Sequence, residues 1–179
     1  MFTSEFADVY TRSAFDLFYY RILRAAPKLA ATKHPLGWSP IHVAILGGNV
    51  GLVEYVLGLP EVDVTAKDVW QLADKDTSEF RIRLLELHGK LGNVETRYAM
   101  PLHFSCLSGN WDIIKTIIDT GANFEDQDGK GRTPMEYFDL ETVEKDVLRK
   151  YQTEYDKWKY AQRKYGPRTS SKISRSTAH

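Results

Sequence analysis

Apolar residues recur at helical spacing near the start of the chain. Between residues 5 and 28 they fall at about every third or fourth position, which is typical of amphipathic helices. This pattern predicts two helices, followed by a hairpin over residues 29–36 that leads into Gly37. The apolar positions are Phe6, Val9, Tyr10, Ala14, Leu17, Phe18, Ile22 and Leu23.

The same spacing returns near the end of the chain, where it predicts one long amphipathic helix over residues 141–165. One face of this helix is mostly aromatic and the other is mostly basic. Residues 166–179 are rich in Ser and Arg and show no periodicity, so we expect them to be disordered. The apolar positions of the helix are Val143, Val147, Tyr151, Tyr155 and Trp158.

A short pattern occurs twice between these two ends. The stretch GWSPIHVAILGGN (residues 37–49) and the stretch YAMPLHFSCLSGN (residues 98–110) share Pro, His, Gly and Asn at the same offsets. A third stretch, GRTPMEYF (residues 131–138), repeats the opening of the pattern. The chain therefore contains an internal repeat.

The prolines of this pattern indicate its period. Pro134 follows Pro101 by 33 residues, and Pro101 follows Pro40 by 61 residues. We interpret the longer spacing as two periods of about 33 with a few residues deleted. One further repeat, residues 70–97, is then expected between the two copies. It lacks the pattern, and Asp74 stands about where proline is expected.

Each residue of the pattern has a physical reason to stand at a helix end. Pro40 and Pro101 fit the first helical turn, where a missing N–H costs nothing and φ is already set. Gly48 and Gly109 are expected to end the helix in a left-handed conformation, which glycine adopts without strain. The pattern predicts a short helix between each proline and glycine.

The residue before each proline is expected to be the N-cap. Ser39 and Thr133 are typical N-cap residues, whereas Met100 has no polar side chain with which to cap. We expect His42 and His103 to bond to the backbone of the neighbouring turn. Such bonds would tie adjacent repeats together.

The recurring pattern resembles the ankyrin repeat, whose T-P-L-H-x-A turn and helix return about every 33 residues. The resemblance covers roughly residues 4–140. It implies a mainly all-α fold, namely a solenoid of about five helix-turn-helix repeats with atypical terminal repeats. The C-terminal amphipathic helix predicted above follows this solenoid. The predicted boundaries are a cap at 4–36, repeats at 37–69, 70–97 and 98–130, a C-cap from 131, the helix at 141–165 and the tail at 166–179.

The candidate chemistry of the chain is sparse. His103 and Cys106 stand three residues apart and could form a base and a nucleophile. Ile45 replaces the cysteine in the first copy of the pattern, so we favour a buried structural role for this pair. The sequence has no phosphate-binding glycine loop and no paired metal-ligand spacing. We expect no enzyme activity, no catalytic residues, no cofactor and no bound metal.

Charge divides the chain into an acidic body and a basic end. Residues 1–144 carry 14 Lys+Arg and 21 Asp+Glu, a net charge of −7, whereas residues 145–179 carry 10 and 3, a net charge of +7. The basic end either keeps the chain in solution or contacts an acidic partner, nucleic acid or the acidic body itself.

Composition, hydropathy and cysteine content bear on the cellular location of the protein. Hydrophobic residues make up 42% of the chain, which suits a folded soluble protein. No run of about eighteen apolar residues occurs, and the N-terminus lacks the pattern of a signal peptide. The lone Cys106 cannot form an internal disulfide. We therefore expect an intracellular, cytoplasmic protein without a membrane span, with the nucleus or a host cytosol as alternatives.

The ankyrin resemblance implies recognition of another protein through the concave surface of the stack, without a small-molecule substrate. Two alternatives are a secreted effector and an assembly chaperone for a basic client. A third is nucleic-acid binding by the basic aromatic helix, although packing of its aromatics on the last repeat explains the same residues. The family's binding positions, carried onto this sequence, are Lys33, Leu36, Trp38, Leu46, Gly47, Lys67, Val69, Trp70, Leu107, Ser108, Gln127, Lys130 and Arg132.

Overall fold

A computed structural model describes residues 17–32, 39–60, 62–65, 67, 98–138 and 143–166. The chain divides into two compact units, residues 1–143 and residues 144–179. Every regular element in the described residues is helical, and no strand occurs among them. The predicted all-α class is therefore confirmed at this level.

The first unit contains five α-helices and two short 3-10 helices in its described residues. Helix α1 covers residues 17–25 and is followed by a 3-10 helix, Pro27–Ala31. The elements that follow are α2 (Pro40–Gly47), α3 (Val50–Leu57), α4 (Pro101–Ser108), α5 (Trp111–Asp119) and a 3-10 helix, Pro134–Tyr137. In the second unit, α6 spans Lys145–Tyr165.

Helices α2 and α4 begin and end where the repeated pattern predicts. Each starts with its proline, and each is followed by a glycine with positive φ, 75° at Gly48 and 65° at Gly109. The next residue is an asparagine that caps the following helix. Asn49 accepts a hydrogen bond from the N–H of Leu52 at 3.0 Å, and Asn110 accepts one from the N–H of Asp112 at 3.0 Å. The pattern therefore encodes a helix-turn-helix pair.

The core of the first unit forms where the two helix pairs meet. Helix α2 packs on α3 and α4, and α5 packs on α3 and α4. Helix α4 lies at the centre of this core, since it also contacts the second 3-10 helix. Every residue of α4 except Ser108 is buried. The fully buried aliphatic residues include Ile41, Ile45, Val53, Val56, Ile113, Ile114 and Ile117.

Helices α2 and α4 pack directly on each other, so the two helix pairs are neighbours. The rings of His42 and Phe104 meet edge to face, with centroids 4.7 Å apart. Packed helices have axes about 8–10 Å apart, so an intervening helix pair would separate these rings by far more. The 61-residue spacing therefore joins two helix pairs that are direct neighbours. Residues 68–97 themselves lie outside the described residues.

Three details near the chain ends also differ from the predictions. The 3-10 helix Pro27–Ala31 occupies the start of the predicted hairpin at residues 29–36. Leu17 and Phe18, predicted on the apolar face of the first helices, are 60% and 63% exposed. Helix α6 begins at Lys145 rather than at residue 141, with Glu144 as its N-cap.

Helix α6 is amphipathic, as predicted. Val147 and Tyr151 are buried, and the rings of Tyr155 and Trp158 stack with centroids 6.1 Å apart. Residues 167–179, predicted to be disordered, lie outside the described residues. None of the helices in the described part of the chain is long and apolar enough to cross a membrane.

Glycine substitutions test the helix-turn-helix pattern. Alanine at Gly48, where φ is positive and a Cβ would meet nothing within 4 Å, should lower the free energy of unfolding by about 1 kcal/mol. Alanine at Gly109 should cost at least as much, since its Cβ would also lie 3.3 Å from Val143 Cγ2. Urea unfolding measures both changes.

Gly51 provides the matched control inside a helix. It lies in α3 with ordinary backbone, and a Cβ there would make only a 3.5 Å contact with Asn49 Oδ1. Gly51→Ala should therefore raise stability by about 0.5 kcal/mol. Equal destabilisation by all three substitutions would contradict the assigned helix ends.

Candidate partner-binding surface

The His103 side chain holds two backbone segments together. Its Nδ1 accepts a hydrogen bond from the N–H of Met100 at 3.2 Å, and its Nε2 donates to the carbonyl of Arg132 at 3.1 Å. The first bond satisfies the backbone N–H of Met100, the N-cap residue of α4, as the N3 residue of a capping box does. The second joins α4 to the turn before the next repeat, which confirms the predicted role of His103.

His42 occupies the equivalent place in the first helix pair. Its Nδ1 lies 3.2 Å from the backbone N and 2.8 Å from the Oγ of Ser39, the N-cap of α2. The helix start is therefore organised as at His103. A bond from His42 to the following turn stays a prediction, because residues 68–70 lie outside the described residues.

Burial keeps His103 neutral. Burial lowers the pKa of this imidazole below its ordinary value, and it outweighs the bond to the Arg132 carbonyl, which acts in the opposite direction. The neutral ring leaves Nδ1 as an acceptor for Met100 while Nε2 carries the proton. Because both nitrogens bond to backbone, neither is available to activate the buried thiol of Cys106.

The turn that His103 contacts, residues 126–132, is organised around Asp128, and we call it the Asp128 turn. Asp128 Oδ1 accepts from the backbone N–H groups of Lys130 and Arg132, both at 2.8 Å. Asp128 Oδ2 accepts from Arg132 Nε at 2.8 Å and from the Tyr137 hydroxyl at 2.6 Å. This buried carboxylate therefore fixes the backbone and one side chain of the turn.

Tyr137 connects the Asp128 turn to α4. Its ring meets His103 edge to face, with centroids 4.9 Å apart. The Arg132 guanidinium lies over the same ring, with Cζ 4.7 Å from its centroid, and Nη2 donates to the Tyr137 hydroxyl at 3.1 Å. Four side chains thus form one cluster that holds the turn rigidly against the helix pair.

The same cluster shifts the pKa of Asp128. Burial alone would raise this pKa, but the hydrogen bonds from Tyr137, Arg132 and Lys130 outweigh burial and lower it below the ordinary value. The carboxylate is therefore charged over the whole neutral range. Sequence reasoning missed Asp128 and Tyr137. An Asp three residues before Gly131 is a turn signal that could have indicated Asp128, but no local signal indicates Tyr137.

Five of the predicted binding residues lie outside the described residues: Lys33, Leu36, Trp38, Val69 and Trp70. Among the others, Lys67, Gln127 and Lys130 are exposed, and Leu46, Gly47 and Ser108 are half-buried.

Two of the predicted binding residues, Leu107 and Arg132, were expected on an exposed surface but do not lie on one. Leu107 is only 5% exposed, because α4 is enclosed by α2, α5 and the second 3-10 helix. Arg132 is half-buried, and its guanidinium pairs with Asp128 at 2.7 Å. The structure therefore assigns Leu107 to the core and Arg132 to the cluster that fixes the turn.

Gln127 and Lys130 are the predicted residues that the Asp128 turn presents to solvent. The N–H of Lys130 donates to Asp128 and the carbonyl of Arg132 accepts from His103, so the turn that carries both exposed residues is preorganised. Among the described residues, no group of three or more His, Cys, Asp or Glu side chains is arranged to hold a metal ion. The arrangement fits surface recognition.

Comparison with known proteins gives two distant relatives, and no family model matches the chain. A fowlpox virus (strain NVSL) protein, named as an ankyrin repeat protein, is 29% identical over 112 residues, which is 59% of this chain and 77% of that protein. A mitochondrial disaggregase of Bos taurus is 26% identical over 141 residues, 74% of this chain. The chain spans only 20% of the length of the bovine protein.

Removal of the buried carboxylate tests the cluster. Asp128→Ala should lower the free energy of unfolding by about 3 kcal/mol, because it leaves Arg132 and two backbone N–H groups without their acceptor. Tyr137→Phe removes two hydrogen bonds, one donated to Asp128 and one accepted from Arg132, and should cost about 2 kcal/mol. Asp119→Ala, which breaks only the exposed Lys115–Asp119 pair, should change stability by less than about 0.5 kcal/mol.

These three free energies are measured by urea unfolding. Similar values for Asp128→Ala and Asp119→Ala would contradict a structural role for the Asp128 turn.

The lowered pKa of His103 predicts a pH dependence of stability. Because the folded state holds this proton less tightly than the unfolded state, the contribution is fully present above the ordinary pKa of about 6.5. It is lost as the pH falls below that value. Urea unfolding between about pH 7 and pH 5 should show a smaller pH dependence in His103→Gln than in the natural chain. Identical pH dependence in both proteins would show that His103 does not bind fewer protons when folded.

Proposed function

We propose that this chain is a non-catalytic, ankyrin-type module that recognises another protein. The observation that carries the proposal is the Asp128 turn, in which a buried polar cluster holds a turn with Gln127 and Lys130 exposed. Rigid turns bind with a smaller loss of conformational entropy than flexible ones.

Three further findings support the proposal. The two helix pairs have the same proline start, left-handed glycine and asparagine cap. They pack side by side through α2 and α4, as a stack of repeats requires. The fowlpox relative carries the ankyrin name, and stacks of this class use extended surfaces for binding.

The proposed contact surface consists of Gln127, Lys130 and Lys67, which are exposed, with Leu46 and Ser108 at the ends of the first helices of the two pairs. Ser108 is partly committed to its own helix, since its Oγ donates to the Ser105 carbonyl at 2.7 Å. The decisive contacts are therefore expected from the Asp128 turn. Gln and Lys at this position favour a polar or acidic partner surface.

A paired-variant capture experiment tests this proposal. The natural chain, Gln127→Ala/Lys130→Ala and Lys115→Ala/Asp119→Ala are immobilised, and proteins captured from lysate are quantified by mass spectrometry after nuclease treatment. The second pair alters exposed residues of α5 and serves as the control. The proposal predicts a protein that the turn variant loses by about tenfold or more and that the control retains.

Two outcomes would contradict the proposal. One is capture of the same proteins by all three chains, which would place recognition elsewhere. The other is loss of every captured species after nuclease treatment. Since the bovine relative is named a disaggregase, aggregated protein is added as a defined client, and its selective capture by the natural chain and the control would identify the partner class.

A further inference from the structure

The C-terminal end of α6 presents tyrosines and basic residues that the proposed protein-binding surface does not use. Residues 157–165, which we call the Tyr160 end, contain four basic residues and no acidic residue. Tyr160 and Tyr165 are 65% and 72% exposed. They are the large hydrophobic residues of the second unit that are exposed among its described residues.

Tyr160 lies on the opposite face of α6 from the buried part. Nine residues separate it from the buried Tyr151, which is about two and a half helical turns and therefore half a rotation. The amphipathic pattern of the helix accounts for Tyr151 and Val147. It does not account for an aromatic residue at Tyr160.

The Lys164 ammonium lies close to both exposed rings. Its Nζ is 5.9 Å from the centroid of Tyr160 and 5.1 Å from that of Tyr165. Arg163 precedes it and is also exposed, and no ion pair involves either cation within residues 143–166. By contrast, Asp146 pairs with both Arg149 and Lys150 in the first turns of the helix. At the Tyr160 end itself, Lys157 pairs with Glu154 at 2.7 Å, so the cations on which the site depends are Arg163 and Lys164.

Favourable interaction with the helix dipole explains part of this arrangement, since cations stabilise a helix C-terminus. It explains Arg163 and Lys164 but gives no reason for two exposed rings beside them. An anionic lipid surface would call for exposed aliphatic or Trp side chains that enter the bilayer interface, and the exposed large hydrophobic residues here are both Tyr. An acidic peptide would use the cations without the rings.

A single-stranded nucleic acid uses both features. Its bases stack on aromatic rings while its phosphates meet Lys and Arg. Five residues separate Tyr160 from Tyr165, which is about 7.5 Å along the helix axis and about 140° around it. The Lys164 ammonium lies near both rings, so a strand that passes around the end of the helix can meet both. We propose that the Tyr160 end of α6 is a binding site for single-stranded nucleic acid, with bases on Tyr160 and Tyr165 and phosphates on Arg163 and Lys164.

Fluorescence anisotropy with the full chain and a labelled uridine oligonucleotide of about twelve residues tests this site. Tyr160→Ala/Tyr165→Ala should weaken binding by about tenfold or more. Tyr160→Phe/Tyr165→Phe keeps both rings and should retain the affinity within about threefold, because stacking and not the hydroxyl binds the base. Circular dichroism of each variant establishes that α6 is intact.

A charge series completes the experiment. Arg163→Gln/Lys164→Gln should lower the slope of log affinity against log salt by about 1.4, the value for two lost phosphate contacts. Arg149→Gln/Lys150→Gln removes the same charge from the paired, N-terminal part of the helix and should leave the slope nearly unchanged. A thymidine oligonucleotide of equal length shows whether the site distinguishes RNA from DNA.

Each of three results would overturn the proposal. One is the absence of binding at protein concentrations of about 100 μM in low salt. A second is equal loss of affinity in the two charge variants, which would indicate diffuse attraction to the basic helix. The third is binding to vesicles of anionic phospholipid, lost in the Tyr→Ala pair, with no binding to the oligonucleotide. Failure of this site would leave the protein-recognition proposal unaffected, since the two use different residues.

Discussion

The His103 imidazole joins the start of α4 to the carbonyl of Arg132, and the architecture around the Asp128 turn depends on these two bonds. A charged imidazole could not accept from Met100, so the bond requires the neutral ring that burial favours. Tyr137 packs on the same ring, and its hydroxyl donates to Asp128, so the position of the ring is coupled to that of the carboxylate. One uncharged side chain in the core thereby positions a turn whose outer residues, Gln127 and Lys130, are exposed.

The second constraint is the direct contact between the two helix pairs. His42 in α2 meets Phe104 in α4, although 62 positions of sequence separate them. Helix α4 is enclosed because its neighbours lie on several sides, and this enclosure is why Leu107 belongs to the core rather than to a binding surface. The predicted binding residues that are exposed, Lys67, Gln127 and Lys130, lie between the helices, and segments of this kind on rigid scaffolds often carry function. Packing of the helix pairs thus decides which residues of α4 and of the turns stay exposed.

The sequence predicts those features that depend on local backbone chemistry. Proline, left-handed glycine and asparagine each act within one helical turn. The bounds of α2 and α4 can therefore be predicted from the amino-acid sequence alone. Features that depend on distant contacts could not be predicted in this way. The neighbouring placement of α2 and α4 was obscured by the assumption of a uniform 33-residue period. The hydrogen bond between Tyr137 and Asp128 joins residues nine positions apart, and no local pattern indicates it. The exposure of Tyr160 depends on which face of α6 is buried, which the sequence of the helix alone does not indicate.

The most direct measurement is a nuclear Overhauser spectrum of the full chain, with assignments for the rings of His42 and Phe104. Direct stacking of the two helix pairs predicts strong cross-peaks between these rings, whose centroids are 4.7 Å apart. Such peaks would establish the neighbouring arrangement that a stack of repeats requires. If the Phe104 ring instead showed cross-peaks to residues 70–97 and none to His42, a third repeat would lie between the pairs, and direct stacking of α2 on α4 would be contradicted.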